Sequence, residues 1–241
     1  MIKNSKFGKY FFISLGSIIS LVLIIFLGFL IYYSVQLKYG NLADIEQIVS
    51  KYEKSFSSAI DKDAPADVPD FKKLIKNYNP QKGDDSAKVT IIAFMDFECP
   101  YCQENYPIFK HISEKYEPVV RIIFKHLPLA EIHANSVLSS LAATCSQEQD
   151  KFWPYYDEVY SKQKVDKDSL YTYAQNIGLD TDKFDVCMNS QRYLSNIEKD
   201  LQDAVNIGLR GTPTYLINGE VAEGSISSEE WDQLIIKNLN K

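Results

Sequence analysis

Cys99 and Cys102 are separated by Pro100 and Tyr101, and they follow the apolar run 89–94 through Met95-Asp96-Phe97-Glu98. Thiols at this spacing can close a disulfide on each other, so that one attacks a partner sulfur and the other releases it. If the apolar run is a strand and Cys99 opens a helix, the leading sulfur lies where unpaired backbone N–H groups and the positive end of the helix dipole favour an anion. Cys99 is then the acidic, attacking thiol and Cys102 the resolving one. Pro100 fits the first helical position, because its missing N–H would be unpaired there in any case. These residues point to thiol–disulfide exchange.

The same spacing is half of a structural zinc site, which needs a second pair of ligands. Cys145 and Cys187 lie far apart, neither has a cysteine partner at ligand spacing, and His111, His126 and His133 are scattered. No metal and no cofactor is expected. Cys145 sits on an apolar helix face and Cys187 follows Phe184 on another helix. With an even cysteine count in an exported chain, a structural disulfide joining the two helices is expected, buried free thiols being the other reading.

The elements around the thiols can be read from apolar periodicity. Residues 88–94 read as a buried central strand, 99–115 as the following helix with Pro107 as a kink, and 119–124 as a second strand. The stretch 130–207 holds helix-spaced apolar series, such as Val137, Leu141, Ala142 and Cys145, and no convincing strand. The aromatic cluster Phe152, Trp153, Tyr155, Tyr156 and Tyr160 reads as core packing. A hairpin follows, 214–217 and 220–222 joined by Asn218-Gly219, and then a helix whose start carries a capping box, Ser227 and Glu230. The order implies an α/β domain, with a mixed sheet and a helical insertion.

The first forty residues bear on the compartment. No charge interrupts residues 10–35, which is long enough to cross a bilayer as one helix, about 20 residues being needed. Lys3, Lys6 and Lys9 precede it, so the positive-inside bias leaves the amino terminus in the cytoplasm and the rest outside. An uncleaved anchor is favoured over a signal peptide, because the run is long and Tyr32 and Tyr33 stand where a cleavage site would need small residues. The expected organisation is a cytoplasmic tail 1–9, a transmembrane anchor 10–35, a juxtamembrane helix and linker 36–85, and the redox domain 86–241 with its insertion at 130–207. The net charge of −6, without a basic patch beyond the short amino-terminal tail, excludes nucleic acid as a natural partner.

Three stretches together resemble one family: 89–92 with 96–102, Gly211-Thr212-Pro213-Thr214, and 147–156 around Lys151-Phe152-Trp153. They are similar to the DsbA-like branch of the thioredoxin superfamily, the exported bacterial thiol–disulfide oxidoreductases, over residues 80–241. The resemblance implies a thioredoxin-like fold, and a cis bond at Thr212-Pro213 facing the redox pair with its backbone open to an extended substrate. It also implies reoxidation by a quinone-linked membrane protein of the DsbB or vitamin K epoxide reductase type. One departure stands out: the strand position where many members carry a buried acid is Ala93. Asp96 is the candidate substitute in a proton relay, a solvated or turn-capping acid being the other reading. Glu98 is expected to raise the Cys99 pKa slightly by like-charge repulsion.

The function expected is donation of the Cys99–Cys102 disulfide to reduced exported proteins. A reductase or isomerase of the same fold, or a non-catalytic binding or chaperone module, are the alternatives.

Overall fold

The computed structural model describes residues 6–39, 65 and 67–241. The expected juxtamembrane helix, marked by the helix-spaced apolar residues Leu42, Ile45, Ile48, Val49, Tyr52 and Phe56, lies outside them. Helix α1, Lys6–Tyr39, contains a 19-residue stretch, Gly16–Ser34, of mean hydropathy 2.4. By length and composition it is able to cross a membrane.

All seven residues of Val89–Met95 are buried. A run without alternation belongs to a strand covered on both faces, and this strand, β2, is the centre of a five-stranded sheet. With β1 (Gln81–Lys82), β3 (Val120–His126), β4 (Thr214–Ile217) and β5 (Glu220–Glu223), the order is β1-β3-β2-β4-β5. Only β2 and β3 are parallel. A parallel pair needs a crossover, and helix α2, Pro100–Lys115, supplies it with Pro107 in its interior. The β4–β5 turn uses Asn218 and Gly219, both at positive φ (48° and 95°), the pairing that lets a two-residue loop follow the strand twist.

Between β3 and β4 the chain forms the helical insertion: α3 (Ser136–Gln147), α4 (Phe152–Lys162), α5 (Lys167–Asn176), α6 (Thr181–Ser190) and α7 (Leu194–Asn206). A disulfide between Cys145 and Cys187 ties α3 to α6, with their Cα atoms 5.7 Å apart. The last helix, α8 (Ser228–Leu239), starts on a complete capping box: Glu230 N–H donates to the Ser227 hydroxyl, and Ser227 N–H donates back to the Glu230 carboxylate.

The structure departs from the expected linker over 36–85. From Asp67 onward the chain is part of the folded domain: Val68, Phe71 and Leu74 are in the core, and Val68 N–H donates to Gly219 O at 2.8 Å. Residues 81–82 pair antiparallel with Ile123 and Ile122. The turn that delivers β1 needs Gly83 (φ +94°), where a Cβ would collide with the carbonyl oxygen of Val120.

A second departure is at the end of β3, which runs through Lys125 and His126 instead of stopping at 124. Lys125 is 0% exposed, and its Nζ contacts Asp200 Oδ1 (2.9 Å), Asp203 Oδ2 (2.6 Å) and Leu74 O (2.9 Å). Asp200, also buried, accepts from His126 N–H and the Asn79 amide. Burial raises the Asp200 pKa and the Lys125 charge opposes that rise. A lone buried charge costs several kcal/mol, so β3, α7 and residues 74–79 are held as one unit.

Candidate active site at the end of the central strand

Cys99 is the N-cap of α2 (φ −67°, ψ 121°), with Pro100 at the helix start. Its N–H donates to Asp96 O at 3.2 Å, closing the turn from β2 into α2, and its carbonyl accepts Gln103 N–H at 3.0 Å as the first helical bond. Cys102, in the first turn, is 0% exposed, and Cys99 is 2% exposed. Both are free thiols. Pro100 and Tyr101 are exposed, Tyr101 to 61%, and form the rim through which another sulfur would approach.

The loop before β4 closes the other side. The Thr212-Pro213 peptide is cis, and the Cys99 thiol donates to Thr212 O at 3.3 Å. The Thr212 hydroxyl is buried and has no full hydrogen bond among the described residues, yet it lies beside the Cys99 sulfur and favours its anion. The loop is fixed by Thr214 Oγ1 donating to Gly211 O (2.7 Å) and Gly224 N–H donating to Pro213 O (2.8 Å).

These contacts separate the two thiols in acidity. A hydrogen bond from the Cys102 thiol does most to lower the Cys99 pKa, from the ordinary 9.0 to about 6; burial opposes it, and Thr212 and the N–H groups of Cys102 and Tyr101 add to it. Cys102 is pushed well above its ordinary value, first by burial and then by the hydrogen bond and charge of Cys99. At neutral pH the reduced pair is therefore a thiolate at Cys99 and a thiol at Cys102. The rate of Cys99 alkylation in the reduced protein should rise with a midpoint at a pH of about 6. A midpoint unchanged from that of a free cysteine would show that these hydrogen bonds do not form. In linkage terms, a depressed pKa stabilises the folded reduced protein above the unfolded value and less as pH falls through the folded one. Cys99 stabilisation is thus lost between pH 9.0 and about 6, while Cys102, shifted oppositely, destabilises the fold only on the alkaline side.

Asp96 is 0% exposed. Its Oδ1 accepts Glu98 N–H at 2.8 Å, and its Oδ2 accepts Leu129 N–H at 2.9 Å and contacts His133 Nδ1 at 2.7 Å. The Tyr160 hydroxyl donates to Asp96 O. Asp96 is thus a buried joint between the active-site turn and the loop after β3, which excludes the solvated reading and agrees with the turn-capping one, its Oδ1 holding the Glu98 N–H. Ala93 is fully buried between Phe124 and Tyr215 in the sheet register.

Phenols stand near the resolving thiol. Burial holds Tyr156, Tyr160 and Tyr215 neutral, and a charge on Cys102, were it to ionise, would raise all three further. Tyr156 and Tyr160 pack at 4.7 Å between ring centroids and Phe97 lies 5.1 Å from Tyr160, so the aromatic cluster on α4 walls the site.

The Glu98 carboxylate is turned onto the Asn135 N–H (2.5 Å) and amide (3.1 Å), and it is not among the groups that chiefly set the acidity of Cys99. His126 is buried, lowered to about 3 by burial and then by Lys125, and hence neutral, with Nε2 against Thr144 Oγ1 at 3.2 Å. His111 is exposed on α2. Sequence reasoning gave little weight to His133, which joins Asp96 across 37 residues of chain, a spacing that no local pattern signals.

A helix-capping thiol at the end of a central strand, a buried thiol in the first turn, and the carbonyl before a cis-proline turned to the first sulfur define a dithiol centre on a thioredoxin fold. The Thioredoxin family model matches residues 76–237, and the chain belongs to that family. Among solved structures, oxidised BdbD from Bacillus subtilis is 24% identical with a TM-score of 0.65, covering 75% of this chain and 100% of that one. The catalytic domain of ScsC from Proteus mirabilis is 22% identical (TM-score 0.60; 79% and 98% covered). The thiol-disulfide exchange protein alpha-DsbA2 from Wolbachia pipientis is 17% identical (TM-score 0.62; 78% and 97% covered). The fold is DsbA-like: a thioredoxin core with a helical insertion.

Curated relatives include "Na(+)/H(+) antiporter NhaA 3" from Salinispora tropica, 32% identical over 149 residues, and "Na(+)/H(+) antiporter NhaA" from Herminiimonas arsenicoxydans, 29% identical over 145. The matches cover 61% and 60% of this chain but 23% of each antiporter, so the likeness concerns one segment of those longer proteins.

Proposed function

We propose that the chain is a protein dithiol–disulfide oxidoreductase, anchored in the cell membrane by residues 10–35 with the redox domain outside the cytoplasm, that donates its Cys99–Cys102 disulfide to reduced exported proteins. The observation that carries this reading is the opposite shift of the two thiols, Cys99 down to about 6 and Cys102 up. A substrate thiolate attacks Cys99 and breaks its bond to Cys102, which takes a proton and stays a thiol. A second substrate thiolate then attacks the substrate sulfur of the mixed disulfide, and Cys99 leaves as a stable thiolate. Stabilising the reduced form in this way makes the pair a strong oxidant and favours the donor role over a reductase or isomerase.

Thr212 and Pro213 frame the attacked sulfur, Pro100 and Tyr101 form its rim, and Asp96 is the proposed station for protons moving to and from the pair. Export is supported by the Cys145–Cys187 disulfide, a bond characteristic of oxidising compartments, and by the apolar length of α1 after a basic amino terminus. A quinone-linked membrane oxidant of the DsbB or vitamin K epoxide reductase type would renew the disulfide.

The reduction potential tests the direction. A value near about −120 mV is expected, whereas one near about −270 mV would make the chain a reductase. A membrane-impermeant alkylating reagent should label reduced Cys99 in intact cells stripped of any outer barrier. Labelling only after lysis would place the domain inside.

A further inference from the structure

We infer that His133 tunes the redox poise of the Cys99–Cys102 pair, its ring taking up a proton when the pair is reduced and giving it back when the disulfide forms. The inference deepens the oxidoreductase reading and rests on it. His133 lies in the loop after β3, held by its own N–H donating to Leu129 O (2.9 Å) and its carbonyl accepting Ser136 N–H (3.1 Å). Nδ1 meets the fully buried carboxylate of Asp96 at 2.7 Å, while the side chain keeps 13% exposure, a route for proton exchange with water. Asp96 in turn belongs to the turn whose carbonyl accepts the Cys99 N–H. The imidazole is thus tied to the Cys99 backbone through two hydrogen-bonded steps, one to the Asp96 carboxylate (2.7 Å) and one from the Cys99 N–H to the Asp96 carbonyl (3.2 Å).

The groups facing His133 are Asp96 and Glu98 from the turn after β2, Cys99 at the start of α2, and, across Asp96, the neutral phenol of Tyr160 on α4; Glu131 on its own loop is exposed. The ring's pKa is raised, chiefly by the hydrogen bond to Asp96, against burial, with further contributions from the charges of Asp96, Cys99 and Glu98. Asp96 and Glu98 are present in both redox states. The Cys99 charge exists only in the reduced one, so proton affinity at His133 follows the sulfur. The coupling is reciprocal, so a protonated ring favours the thiolate. Hydrogen bonds at the helix start remain the larger influence on Cys99, and His133 adjusts what they establish.

The proton count then closes. A substrate dithiol loses two electrons and two protons as its own disulfide forms. The electrons break the Cys99–Cys102 bond, one proton goes to Cys102, and the other, which Cys99 does not keep, goes to His133 in the pH range between the ring's two pKa values. Reoxidation by the quinone-linked acceptor removes both electrons and both protons.

The test uses the full chain in detergent. NMR titration of the His133 ring, assigned by its loss in His133→Gln, should give a higher pKa in the reduced than in the oxidised protein. Equal values would overturn the inference. In equilibrium with glutathione, His133→Gln should shift the constant toward the disulfide by about threefold to tenfold, or about 15 to 30 mV for a two-electron couple, and raise the pH midpoint of Cys99 alkylation. His133→Lys, which keeps a cation, should restore both. A His133→Gln protein with a lower melting temperature but unchanged potential and midpoint would make the Asp96–His133 contact a clamp on the loop and nothing more. These measurements need only the two states of the Cys99–Cys102 pair, so they stand apart from whether any protein substrate receives its disulfide.

Discussion

Cys102→Ser should accumulate substrate proteins as mixed disulfides on Cys99, and Cys99→Ser should accumulate none and lose all exchange activity. The asymmetry follows from position. Cys99 caps α2 at the rim made by Pro100 and Tyr101, whereas Cys102 is 0% exposed and faces the aromatic wall. Acidity points the same way, because the thiolate is the nucleophile and Cys102 is held as a thiol at neutral pH. Without Cys102 nothing inside the protein can return to attack Cys99, so the mixed disulfide persists until an outside thiol resolves it. Non-reducing gel electrophoresis after acid quenching reads the result. Equal trapping by both single variants would contradict the assigned order.

Replacing Cys145 and Cys187 together by alanine should cost about 4 kcal/mol on the chain-entropy account of a loop this long, while exchange with a small dithiol changes little. The bond closes a loop with a sequence separation of 42 and joins two helices of the insertion, apart in sequence from the Cys99–Cys102 turn. Denaturant unfolding of the double variant beside the parent chain measures the first effect and dithiol turnover the second. A double variant that stays folded but loses turnover would make the second pair a redox relay.

Much of the redox centre is local in sequence and therefore legible there. The spacing of Cys99 and Cys102, the apolar run into them, the Asn218-Gly219 turn and the Ser227–Glu230 capping box each depend on a few neighbouring residues, and the structure has each element in place. What escaped is what depends on distant partners. Lys125 reads as the end of a strand because a charge seldom lies inside a sheet, yet two aspartates on α7 and the Leu74 carbonyl make its burial tolerable. Strand β1 is two polar residues long, and only its pairing with β3 makes it a strand. His133 carries no motif, and it acquires a partner only when the loop after β3 folds back over the active-site turn.

The placement of residues 67–85 bears on how the redox domain can be freed from its membrane segment. A cut at 86, where composition changes from linker-like to strand-like, would remove Phe71 and Leu74 from the core, strip β1 from the sheet edge, and take from Lys125 and Asp200 the carbonyl and amide that complete their shells. Such a fragment would retain both catalytic sulfurs and still carry an uncovered strand and a half-solvated buried ion pair, the combination that favours edge-to-edge aggregation. A form of this domain that keeps these contacts therefore includes residues 67–85, and the segment that looks like a tether is its first structural layer.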